Sequence, residues 1–104
     1  MSAYNQRQYA RMRACLMSFR PTLDGVRDVE GTITFLIGCL ECPDPAWVDK
    51  ARLESNELEL ISANAHYEDR RSLTSRELEV ASECVASLKS LVDTVLTQSE
   101  ADFE

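Results

Sequence analysis

Apolar residues recur every three or four positions along most of this chain, and the recurrence breaks at three short polar or proline-containing stretches. That period puts apolar side chains on one face of an α-helix, whereas a half-buried strand would alternate every second residue. Tyr9, Met12, Leu16 and Phe19 form the first stripe and Arg7, Arg11 and Arg13 lie off it, which predicts an amphipathic helix from Asn5 to Phe19. Pro21 has no N–H to continue the ladder and biases Arg20 out of the helical region, so the helix is expected to stop there. Thr22 or Asp24 is positioned to cap the next one.

The second helix is expected over residues 24–41, with Val26, Val29, Ile33, Leu36, Ile37 and Leu40 as a wide stripe and Asp24, Asp28 and Glu30 in its first turns. Within it, Ile33-Thr34-Phe35-Leu36-Ile37 is rich enough in β-branched residues to form a buried strand. No second strand-like run is present to pair with it, and the neighbouring segments read as helix, so helix is preferred. Gly31 and Gly38, seven residues apart, fall nearly on one face. Each lowers helicity by about 1 kcal/mol relative to alanine but removes a side chain that would hold a neighbour away, so a close helix contact is expected there.

Cys42-Pro43-Asp44-Pro45 is the clearest break, with Asp44 as a cap and Pro45 at a first helical position where its missing N–H does no harm. The third helix then runs from Pro45 to about Asp69. Trp47, Ala51, Glu54, Leu58, Ile61 and Ala65 share one seam, and Leu53, Leu60 and Tyr67 a second strip. A helix apolar on two strips either sits between two neighbours or buries one strip and offers the other, and packing on both is the preferred expectation. Thr74-Ser75-Arg76-Glu77 has the spacing of a reciprocal capping box, with Leu73 placed to staple onto Leu78. The fourth helix continues through Ala81, Cys84, Val85, Leu88, Leu91, Val92 and Val95, and the ends, 1–4 and 98–104, are expected to fray. Short connections make successive helices antiparallel neighbours. The expected fold is all-α, an antiparallel up-down four-helix bundle in one domain over residues 1–104, with a three-helix core and a peripheral first helix as the alternative.

Composition agrees with a folded domain: 104 residues, 44% hydrophobic and 28% charged, with three glycines and three prolines. The longest oily stretch, Ile33 to Leu40, is far short of the roughly 20 residues needed to span a bilayer, and the polar first nine residues do not read as a cleaved leader. A cytoplasmic protein without membrane association is expected. Cys15, Cys39, Cys42 and Cys84 are then read as free, mostly buried thiols.

Charge changes the picture more than composition does. The net charge is −7, but residues 1–20 hold four arginines and no acid, whereas residues 41–60 hold six acids against Lys50 and Arg52. An acidic surface repels phosphate backbones and attracts basic protein, so the expected partner is a basic protein domain and no nucleic acid. The arginines of the first helix allow at most a local phosphate contact.

Candidate chemistry is sparse. Cys39-Leu40-Glu41-Cys42 has the spacing of a zinc knuckle, with Cys15, Cys84 and His66 as formal additional ligands, but there is no second CxxC. A redox role for the pair would require a strand-to-helix setting that the pattern does not provide. His66 is the only histidine, the serines lie on helices or caps, and no Glu-x-x-His pair or glycine-rich phosphate loop is present. No catalytic residue, metal ligand or cofactor is assigned.

Leu36-Ile37-Gly38-Cys39-Leu40-Glu41, Pro43-Asp44-Pro45-Ala46-Trp47, Leu58-Glu59 and Arg71-Ser72-Leu73-Thr74-Ser75-Arg76-Glu77 together resemble a group of small bacterial helical proteins. Members of that group are often encoded beside secreted or contact-dependent toxins and are regarded as their immunity proteins. The likeness covers residues 30–95 and carries over no toxin-contact residue. Ser55-Asn56 stands where the group has an aromatic residue, and the cysteines lie outside its pattern. The resemblance implies a non-catalytic protein that occludes a basic toxin domain. The acidic stretch supplies the candidate partner-binding residues Glu41, Asp44, Asp49, Glu57 and Glu59, with Glu54 set apart because it falls on the core seam. Two other readings stay open. One is a homo-oligomeric adapter or structural protein that buries the second strip of the third helix against its own copy. In the other, residues 41–60 are merely a solvated face that preserves solubility.

Overall fold

A computed structural model of the chain describes residues 1–102. It contains four helices: α1 (Ala3–Met17), α2 (Leu23–Cys39), α3 (Pro45–Tyr67) and α4 (Ser75–Asp102). The connections over 18–22, 40–44 and 68–74 are too short to carry the chain to the far end of the preceding helix, so each helix reverses against the last. α1 packs on α2, α2 on α3, α3 on α4, and α4 returns to α1. The result is an antiparallel up-down four-helix bundle of 50 × 20 × 19 Å, with no strand among the described residues. Tyr9, Met12 and Leu16 bring α1 fully into the core, so the alternative of a three-helix core with a peripheral first helix does not hold. The largest wholly buried side chains, Met12, Ile33, Leu58 and Leu88, come one from each helix.

Helix ends follow local chemistry. Ser2 Oγ accepts the Asn5 N–H at 3.1 Å, which starts α1 two residues before the expected Asn5. α1 also ends early, at Met17, yet Phe19 still packs against the core from the connection. Thr22, rather than Asp24, caps α2 through Oγ1 and the Gly25 N–H at 3.0 Å. Gly25 is the glycine whose missing side chain matters, because a Cβ there would collide with the Arg20 carbonyl as the chain folds over the first turn of α2. The expected close contact at Gly31 and Gly38 is corrected: both are exposed, and a Cβ on either would meet nothing within 4 Å. They lie on the side of α2 away from its buried Val26, Val29, Ile33 and Ile37 stripe.

α3 begins as expected, with Asp44 Oδ1 accepting the Ala46 N–H at 3.1 Å and Pro45 in the first turn. It ends two residues short of Asp69. Asp69 takes a left-handed conformation (φ 54°), its N–H bonds the His66 carbonyl at 3.0 Å, and the Arg70 N–H bonds that of Ala65 at 2.8 Å. This pair of bonds is the Schellman termination, here with aspartate in the place glycine usually takes. The buried seam runs through Trp47, Ala51, Ser55, Leu58, Ile61 and Ala65. Ser55 therefore replaces Glu54 in the core, and its hydroxyl is satisfied by Thr34 Oγ1 of α2 at 2.9 Å. The expectation that the second strip is also buried fails, because α3 packs mainly on α2 and α4 and the strip points away from both.

α4 opens with the full reciprocal cap: the Glu77 N–H donates to Thr74 Oγ1 at 3.1 Å, and the Thr74 N–H donates to Glu77 Oε1 at 2.8 Å. Arg70 braces this cap. Its Nη1 and Nη2 meet the two Glu77 carboxylate oxygens at 2.7 and 3.0 Å, and its Nε meets Glu68 at 2.6 Å. The Arg70 bonds, followed by the Thr74 backbone N–H, pull the Glu77 carboxyl down from 4.5 to about 2. The helix continues to Asp102; Phe103 and Glu104, part of the end expected to fray, lie outside the described residues.

Two outcomes follow from this cap. Thr74→Ala removes the acceptor for the Glu77 N–H and should cost about 1 kcal/mol in chemical unfolding. An unchanged midpoint would show that the cap is not stabilising. Because Glu77 binds its proton less readily when folded, its stabilisation is complete above pH 4.5 and is lost as pH falls toward about 2. Thermal melts across that window should show a smaller acid loss for Glu77→Gln than for the wild type.

Candidate docking face on the third helix

The outward side of α3 carries a regular seam. Asp49, Leu53, Asn56, Leu60, Ala63 and Tyr67 are separated by alternating steps of four and three residues, which keeps them in one line along a helix, and all six are exposed. Leu53, Leu60 and Tyr67 are 70%, 53% and 91% exposed, which puts them among the few large apolar residues left outside the core. Lys50 and Glu57 flank the line on the side toward α4, and Arg52 and Glu59 flank it on the side toward α2. Phe35, 69% exposed on α2, is a further large apolar side chain left outside the core.

The five acids assigned from sequence are all exposed, but they do not form one compact cluster. Glu41 and Asp44 sit in the α2–α3 connection, and Asp44 already serves as the α3 cap. Asp49 heads the outward seam. Glu57 and Glu59 lie on its two borders, about 160° apart around the helix axis. Glu54 is half-buried and accepts a hydrogen bond from the Cys84 thiol, an edge-of-core role.

The start of this face is held by a set of tertiary contacts. Asn5, 7% exposed, clamps the α2–α3 connection by accepting the Glu41 N–H at 2.9 Å and donating to the Glu41 carbonyl at 2.7 Å. Trp47 donates Nε1–H to the Leu91 carbonyl of α4 at 3.0 Å and sets its ring edge-on to Tyr9 at 5.1 Å. Burial, and next the nearby Asp44 carboxylate, raise the Tyr9 hydroxyl above its ordinary pKa. The Asn5 and Ser55 contacts were missed in the sequence. Asn5 and Gln8 do fall in register with the Tyr9, Met12, Leu16 stripe, which is the signal for a buried polar side chain.

The sulfur and imidazole groups are dispersed. Among the described residues, no three or more of His, Cys, Asp and Glu stand together in a way that would hold a metal. Cys42 is exposed with a left-handed backbone (φ 46°), Cys39 and Cys15 are half-buried, and Cys84 is buried. The expectation of mostly buried thiols is thus met fully only by Cys84. His66 is exposed in the last turn of α3, and Ser62 accepts a bond from Arg27 Nε at 3.2 Å. Arg13 of α1 is paired with Asp93 of α4 at 3.2 Å. No helix among the described residues is long and apolar enough to cross a membrane.

Fold and surface together define the class: an up-down four-helix bundle with an unpartnered amphipathic face. Compared with protein-family models, curated proteins and solved structures, the chain matches none.

Burial, followed by the Glu54 hydrogen bond, pushes the Cys84 thiol up to about 12, so at neutral pH it stays protonated and shielded. A maleimide at neutral pH should label Cys42 first and leave Cys84 unmodified until denaturant is added. Prompt labelling of Cys84 in the native protein, located by peptide mass spectrometry, would contradict this packing.

Proposed function

We propose that this chain is a non-catalytic binding protein whose working surface is the outward face of α3. The observation that carries the reading is the exposed Leu53, Leu60, Tyr67 line, headed by Asp49 and bordered by Glu57 and Glu59. Apolar side chains in a charged frame suit a surface that is steered to its partner by charge and held there by desolvation. With a net charge of −7, the favoured partner is a basic protein domain. Combined with the resemblance of residues 30–95 to immunity proteins, this supports a cytoplasmic bacterial immunity factor. It would neutralise a basic toxin domain by covering it, with Glu41 and Asp44 extending the acidic surface at the α2–α3 end.

This reading predicts that a neighbouring gene encodes a basic domain, and that domain is the reagent for the test. Asp49→Lys with Glu57→Lys should slow stopped-flow association and flatten its salt dependence, since charge acts mainly on diffusional encounter. Both positions are exposed, so fold stability should change by under about 0.5 kcal/mol for each. Equal rates and equal salt slopes for wild type and double variant, both folded by circular dichroism, would remove this face as the steering surface.

A further inference from the structure

The outward seam of α3 has the spacing of a two-helix interface. Leu53, Leu60 and Tyr67 occupy one set of seam positions, and Asp49, Asn56 and Ala63 the alternating set. The bordering charges then discriminate among the ways in which a second helix can lie on it. In an antiparallel pair related by a two-fold axis, residues on the α2 border meet the same border of the other copy, and those on the α4 border likewise. One register sets Leu53 opposite Asn56 of the second copy and Leu60 opposite its Asp49, with the leucines adjacent diagonally. It also brings Arg52 against Glu59 of the second copy and Lys50 against its Glu57. All four border charges meet an opposite sign, and symmetry makes each pair twice. Sliding by one heptad places Glu57 against Glu57 and Glu59 against Glu59. A parallel pair satisfies only Arg52 with Glu57 and stacks Asp49 on Asp49. Like charges directly opposed are costly at an interface, so these alternatives are disfavoured.

We infer that the occupant of this face in the pure protein is a second copy of the chain, docked antiparallel through α3 in the register that pairs Arg52 with Glu59 and Lys50 with Glu57. The inference rests on reading the outer face of α3 as a docking surface. It adds a form of regulation: Leu53, Leu60, Glu57 and Glu59 cannot serve a second copy and a basic partner together. The homodimer shields the apolar line while the partner is absent, and a basic domain must displace one copy to bind. The contact area is one helix face, so the dimer is weak and concentration-dependent.

Sedimentation velocity of the pure chain over micromolar to millimolar concentrations is the test, and it needs no partner. The wild type should pass reversibly from monomer to dimer. Arg52→Glu opposes like charges at two symmetric points and should raise the dissociation constant at least about tenfold. Adding Glu59→Arg to it should restore the wild-type value, because the swapped pair again meets opposite signs. Leu60→Ser, at a position exposed in the monomer, should weaken the dimer while leaving helicity unchanged. A wild type that stays monomeric to millimolar concentration overturns the inference. So does a dimer indifferent to Arg52→Glu, or one that the double swap does not restore. These outcomes leave binding of a basic domain to the monomer as a separate measurement, made below the dimer range, so the two readings fail independently.

Discussion

Each helix of this protein has one inward seam, and closing the ring of four seams consumes all of them. Met12, Ile33, Leu58 and Leu88 meet in the interior, and Val26, Val29 and Val92 complete it with no measurable exposure beyond 2%. Such a core is close-packed and cannot take in a second strip from any member without another layer of structure. α3 packs mainly on α2 and α4, and touches α1 through Trp47 on Tyr9. Leu53, Leu60 and Tyr67 are therefore left outside by the closure itself, and the surface chemistry of the protein begins from that fact.

Polar contacts then fix α3 at both ends. At its start, Asp44 caps the helix, Asn5 clamps Glu41 just upstream, and Trp47 ties the first turn to α4 and α1. At its end, the Schellman bonds close the helix and Arg70 braces the following connection onto Glu77 and Glu68. Among the described residues, no buried side-chain nitrogen or oxygen lacks a hydrogen-bond partner. A face held this way loses little conformational freedom when something docks on it, which makes a modest area more effective. Exposed leucines on a frayed helix would carry no comparable meaning.

Charge gives that face direction. The acids of the surface proposed for a basic partner are interleaved with Lys50 and Arg52, and that interleaving underlies the antiparallel register proposed for a second copy. A surface that is both acidic overall and locally alternating can serve two occupants in turn, with their competition set by concentration. The arginines of α1 are a separate matter, because Arg13 is engaged with Asp93 across the α1–α4 contact, away from the outward face of α3.

Local pattern alone determined the helical class, the helix count and most boundaries to within about two residues. The reason is that periodicity, Pro21, Pro45, Asp44 and the Thr74–Glu77 box each act within a few residues. The placement of Trp47, Leu58 and Leu88 in the core was legible for the same reason. Tertiary structure decided what depended on neighbours. It moved the α3 seam from Glu54 to Ser55, because Thr34 of α2 supplies the hydroxyl partner. It also shifted the close-approach glycine from Gly31 and Gly38 to Gly25, where the chain folds back over its own helix. Residues 41–60 read in sequence as a single acidic segment, but a helix turning about 100° per residue puts Asp49 in the outward seam and Glu57 and Glu59 on its opposite borders. Whether Leu53, Leu60 and Tyr67 face a neighbour or solvent cannot be encoded by their own spacing. It depends on how many helices surround α3, and only the closed bundle fixes that number.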